Sequence, residues 1–196
     1  MDTLSIDQIT FGGIVNRGAL DLITENLAPF SYDFSFGKSY LLEGNLGDGC
    51  WALTRIIAGL VVPDSGTIKR NGVDYSSHDR RRDVWYVRSS QVKRFGFWGS
   101  QTVKWQIQYG LRTVKNQYLK TESEVIEHFH LTQERYNRIW WQLSHEGWRA
   151  SSAVGLVNGK KIFCFPHINA SEDDFIESYY DAYLKDMIDL LRDRVY

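Results

Sequence analysis

Apolar and polar residues alternate from Ser31 to Phe36, with Tyr32, Phe34 and Phe36 on one side and Ser31, Asp33 and Ser35 on the other. A period of two predicts a half-buried strand. Gly37-Lys38 predicts a turn into a second strand, Ser39-Tyr40-Leu41-Leu42-Glu43, which runs into a glycine-rich loop, Gly44 to Trp51. Beyond the loop the period changes, and Leu53, Ile56, Ile57 and Leu60 recur at helical spacing. The order is strand, loop, helix. Pro63-Asp64-Ser65-Gly66 predicts a turn. Asn71-Gly72, between Thr67-Ile68-Lys69 and Val73-Asp74-Tyr75, predicts a hairpin with a type I′ turn. Val84-Trp85-Tyr86-Val87 reads as a short strand. From about Thr102 to Asn158 the periodicity is helical without strand signals, and Lys161 to Phe165 reads as a buried strand stopped by Pro166. A last helix is expected from Ser171, an N-cap followed by Glu172, Asp173 and Asp174. Its apolar pairs, from Phe175/Ile176 to Met187/Ile188, form a stripe that packs one face against a core or a partner.

Composition narrows the class. A length of 196 residues suits one sizeable domain, and 43% hydrophobic with 24% charged residues is ordinary for a globular chain. A formal net charge of −1 argues against a general nucleic-acid binder. No stretch approaches the roughly 20 apolar residues of a membrane span, and Met1 to Asp7 lacks the basic start of a signal peptide. The two cysteines, Cys50 and Cys164, fit a reduced cytosolic protein better than a disulfide framework.

Residues Gly44 to Trp51, G-N-L-G-D-G-C-W, are a phosphate-binding loop altered at its two chemically active positions. The pattern G-x-x-x-x-G-K-[ST] uses glycines to let backbone amides wrap a phosphate, a lysine to neutralise it and a hydroxyl to ligate Mg²⁺. Here Gly44, Gly47 and Gly49 remain, while Cys50 replaces the lysine and Trp51 the hydroxyl residue. Asn45 and Asp48 complete the loop.

From Leu41 to Val73 the chain resembles the ATPase (nucleotide-binding) domain of ABC transporters: the loop helix ends in Ala58-Gly59-Leu60, a Pro-Asp-Ser-Gly turn follows, and a strand closes at Gly72. The resemblance implies a P-loop, ABC-ATPase-like α/β fold: a mixed sheet, an antiparallel β sub-domain and a helical sub-domain. It implies one domain over 1–196, with the helical part at about 102–158. Weaker matches follow in order. Ser89 holds the position of the family's Mg²⁺-sensing glutamine, with Gln91 displaced. Leu143-Ser144-His145-Glu146-Gly147 resembles the L-S-G-G-Q signature, of which Ser144 and Gly147 are the signature-like residues carried here. Ile162 to Phe165 resembles the Walker B strand, whose acidic end reads Pro166-His167. Asp173 matches the D-loop aspartate, and Phe11 is the candidate for the aromatic that stacks on adenine. The switch histidine is expected to be absent.

Each residue has a plainer alternative. His167 is the one candidate general base, although a histidine after a buried strand more often lies at a surface. Cys50 at a helix N-terminus is either an activated thiol or, the favoured reading, a small buried thiol under Trp51. The run His78-Asp79-Arg80-Arg81-Arg82-Asp83 is expected to be a solvated loop. His145 with Glu146 and His128 with His130 lack a third ligand, so no metal site is expected. Trp140-Trp141 anchors the helical sub-domain or lines the groove that, in the family, receives a membrane subunit.

The sequence thus points to a non-hydrolysing, pseudo-ATPase subunit or adaptor with no catalytic residues. An unorthodox ATP-binding or hydrolysing ATPase is the alternative. No cofactor is expected, with weak binding of ATP or another nucleotide left open. The implied partners are a membrane transporter subunit or a second ABC ATPase, in a homo- or heterodimer, and not nucleic acid. The implied location is cytoplasmic, peripheral to the membrane through a partner.

Overall fold

The computed structural model describes residues 2–16, 22–87, 102–115, 118–139, 146–166 and 184–192. Two 14-residue strands, β1 (Thr3–Asn16) and β2 (Leu22–Ser35), pair antiparallel, and β3 (Ser65–Arg70) and β4 (Val73–Asp74) extend the sheet in the order β2-β1-β3-β4. In β1 the alternation breaks. Ile6 and Ile9 are both buried although three residues apart, because the register shifts between them and Gln8 takes φ 50°. The bulge turns an odd spacing onto one face. Pro29 is tolerated because β2 is an edge strand. The β3–β4 turn is as expected, with Asn71 and Gly72 both at positive φ, 52° and 78°.

Helix α1 (Cys50–Ile57) follows the loop, and every residue but Arg55 is buried. It is apolar nearly all round because it is covered from two directions. Leu4, Ile6, Ile9, Leu27 and Ile68 of the antiparallel sheet share a core with its Ala52, Leu53 and Ile56. Val84, Tyr86 and Cys164 join that core from a parallel pair, β5 (Val84–Tyr86) and β6 (Ile162–Cys164). The helix ends in a Schellman motif: Gly59, at φ 71°, donates to Ile56 O and Leu60 donates to Arg55 O.

Two expectations need correction. Residues Ser39–Glu43 form no strand, although the turn at Gly37 is present. No described strand pairs with the segment, and Leu41 is 74% exposed. Ring contacts hold it instead: the Tyr40 hydroxyl accepts from Ser35 N–H at 2.8 Å, and its ring meets Phe34 edge-on at 4.9 Å. The run His78–Asp83 is likewise no solvated loop. It lies in α2 (Ser77–Asp83), capped by Ser76, and Arg80 is buried. Arg80 Nε donates to Ile56 O at 3.1 Å, its Nη1 donates to Tyr75 O, and Arg81 Nε donates to Gly59 O at 2.7 Å. The last carbonyls of a helix have no partner within it and carry its negative dipole end, so buried cations can satisfy them.

Residues 102–158 contain α3 (Val103–Thr113), α4 (Glu122–His128), α5 (Gln133–Tyr136) and α6 (Gly147–Val157). Val103, Ile107, Val125, Phe129 and Val154 build a second core, which Trp85 and Met187 join. Residues 184–192 are helical, with Met187 and Leu191 buried. Among the described residues, no helix is long and apolar enough to cross a membrane.

Candidate functional site

Gly49 is the N-cap of α1 and has no side chain with which to bond the first helical amides. Those amides are unpaired inside the helix and carry its positive dipole end. They find an acceptor on β2. The Glu25 carboxylate is 1% exposed; its Oε2 accepts from Trp51 N–H at 3.0 Å and Ala52 N–H at 3.2 Å, and its Oε1 accepts from Gly47 N–H at 3.1 Å. A carboxylate bonded by several backbone amides is a strong, charge-assisted arrangement. The neighbouring residues of β2 also hold the loop. Asn26 N–H donates to Gly47 O at 2.8 Å, and Leu27 packs on Gly49 so closely that a Cβ there would lie 2.6 Å from Leu27 Cα.

The rest of the loop is closed by its own groups. Asp48 Oδ2 accepts from Asn45 N–H at 2.7 Å, and Gly47 and Gly49 take φ 97° and 91°. Gly44 abuts the Cys50 sulfur, which points back toward Glu43 O at 3.6 Å. The Cys50 and Trp51 side chains are each 8% exposed. Burial pushes the Cys50 thiol above its ordinary value, and the nearby Glu25 and Asp48 carboxylates push in the same direction. Burial alone pushes Cys164 up to about 12. Cys50 is thus a buried, free thiol whose surroundings raise rather than lower its pKa.

Both thiols should react with a disulfide reagent at pH 8 at least about 100-fold more slowly in the native protein than in denaturant. Equal rates would show an open loop. The folded state holds these protons more tightly than the unfolded chain. The contribution of the thiols to stability is therefore present below the ordinary thiol pKa of 9.0 and is lost as pH rises through the raised values.

Phe11 lies on β1 opposite Leu27, with its ring over Gly13, and so connects to the loop through Leu27. Gly147 is the first residue of α6, buried, behind Glu146. Glu146 Oε2 accepts from the Thr132 hydroxyl at 3.0 Å, tying the start of α6 to that of α5. Ser89, Gln91, Trp140, Trp141, Ser144, His145, His167 and Asp173 lie outside the described residues. Among the described residues, no three His, Cys, Asp or Glu side chains cluster as a metal site would need.

Glu25 was not singled out by its sequence context, although a signal existed. Ile23, Glu25 and Leu27 are two apart, so strand alternation sets the glutamate on the same face as two apolar residues. A carboxylate on the inward side of a strand calls for a buried donor set.

No family model matches the chain. It is 35% identical over 105 residues to a sulfate/thiosulfate import ATP-binding protein of Pseudomonas syringae, a match that covers 53% of this chain and 31% of the relative. The protein of the same name from Synechocystis is 35% identical over 98 residues, 50% of this chain and 26% of the relative. The matched region thus spans about a third or less of these curated relatives. Among solved structures, a dimeric ATP-binding cassette bound to ADP and phosphate superposes with TM-score 0.62 at 17% identity, covering 96% of this chain and 81% of that one. A bacterial Atm1-family ABC exporter with ATP bound superposes at TM-score 0.58 and 18% identity, covering 97% of this chain and 32% of that one.

Proposed function

We propose that this chain, whose fold is that of the ABC-transporter ATP-binding domain, is a non-hydrolysing subunit or adaptor, a pseudo-ATPase with a degenerate Walker A loop. It would act in the cytoplasm, held at the membrane by a transporter subunit, or pair with a second, competent ATPase subunit. The domain would run through 1–196 with a helical sub-domain at about 102–158, whose helices α3 to α6 supply most of the second core.

The observation that carries the reading is the chemistry of Cys50 and Trp51. A loop that turns over nucleotide needs a cation at the first position and an oxygen ligand for Mg²⁺ at the second. The first holds a thiol kept protonated, and the second holds a buried indole with no oxygen. The residues present therefore do not fit Mg²⁺ as a P-loop holds it. Loss of the lysine alone removes a charged contact worth roughly 1.5–3 kcal/mol. The relatives named as ATP-binding proteins favour the opposite reading, in which this loop still takes nucleotide.

Phosphate release from Mg²⁺–ATP separates the two readings. The purified chain is expected to release none above a buffer control. Steady Mg²⁺-dependent turnover that stays with the protein through successive columns would overturn the proposal.

A further inference from the structure

We propose that Glu25 is an intrinsic blocker of the Gly44–Trp51 loop, an autoinhibitory contact in which the chain's own carboxylate takes the place of an incoming oxyanion. The inference deepens the reading above and rests on its premise that the loop turns over no nucleotide.

The geometry carries it. Three backbone amides, Gly47, Trp51 and Ala52, converge at 3.0–3.2 Å on the two oxygens of one buried carboxylate. These are amides of the glycine loop and of the first turn after it, the donor set from which a P-loop cradles phosphate. Each already has its acceptor, and the acceptor is an anion. A free phosphate would have to displace a like charge that is covalently attached and therefore present at a high effective concentration. The blocker is also held in place. Asn26 N–H is bonded to Gly47 O, and Leu27 fills the space beside Gly49, so residues 25–27 of β2 dock on the loop as one unit. The loop amides are thereby satisfied by a contact within the chain. Sequence alone hides this, because 22 residues separate Glu25 from Gly47.

The test is a titration of the full chain with inorganic phosphate against chloride at matched ionic strength, followed through the amide ¹⁵N–¹H signals of Gly47, Trp51 and Ala52. In the wild type these signals should not move. Glu25→Ala removes both acceptor oxygens and should bind phosphate at least about tenfold more tightly than the wild type, with saturable shifts at those three amides. Glu25→Gln keeps the shape and one acceptor oxygen without the charge, so it serves if the alanine variant does not fold; it should bind phosphate detectably, more weakly than Glu25→Ala. Saturable movement of the three signals in the wild type would overturn the proposal whatever the variants do. So would a folded Glu25→Ala or Glu25→Gln protein that binds phosphate no better than the wild type. No nucleotide is present in this titration, so failure of the blocker and failure of the non-hydrolysing reading are seen separately: ATP turnover reports only the latter.

Discussion

Gly49→Ala should destabilise the protein by about 4 kcal/mol, of which roughly 1–2 come from forcing a side chain into the left-handed region and the rest from overpacking. The added Cβ would lie 2.6 Å from both Leu27 Cα and Leu27 Cβ, and the first of these is backbone that cannot swing aside. Gly37→Ala separates the two contributions. Gly37 has a similar φ of 76° with nothing within 4 Å of the added atom, so that variant should lose only about 1–2 kcal/mol. Urea denaturation reads both, as a shift in midpoint at constant slope. Equal losses would mean that β2 does not press on the loop.

Arg80→Ala comes next in size, at about 3 kcal/mol. The variant strips a charged donor from two carbonyls, Ile56 O at the end of α1 and Tyr75 O ahead of α2, and leaves both without that partner. Arg82 sits two residues away with its side chain 65% exposed, and Arg82→Ala should change stability by no more than about 0.5 kcal/mol. If the two substitutions cost the same, the buried cap on α1 is not a stabilising element.

These two positions also show what could be read from the sequence and what could not. The loop, α1 and the Asn71-Gly72 hairpin rest on local rules of spacing and turn chemistry, and they stand where those rules put them. Strand β1 escaped because its bulge at Gln8 breaks the period of two that would announce it. Ser39–Glu43 has a strand-like composition, but strand formation depends on a partner and none of the described strands provides one. Arg80 looked solvated among its charged neighbours because one of the two carbonyls it serves, Ile56 O, comes from α1, 24 residues earlier. Glu25 is the same kind of case. Its partners lie in the loop and the first turn of α1, at least 22 positions away, and only the inward side of a strand hints that it needs any. The altered Cys50 and Trp51 were plain in the sequence, whereas their burial and the carboxylate behind them belong to tertiary structure.

The decisive measurement is the melting temperature of the purified chain titrated with Mg²⁺–ATP. A loop without its lysine and hydroxyl, and with Glu25 on its amides, should give a change below about 1 °C at millimolar nucleotide. A working site at a hundredfold excess of ligand over Kd would add about 2.7 kcal/mol and raise the melting temperature by about 5–10 °C. A saturable, Mg²⁺-dependent rise of that size would contradict the proposal that this domain is a pseudo-ATPase whose loop is closed to nucleotide.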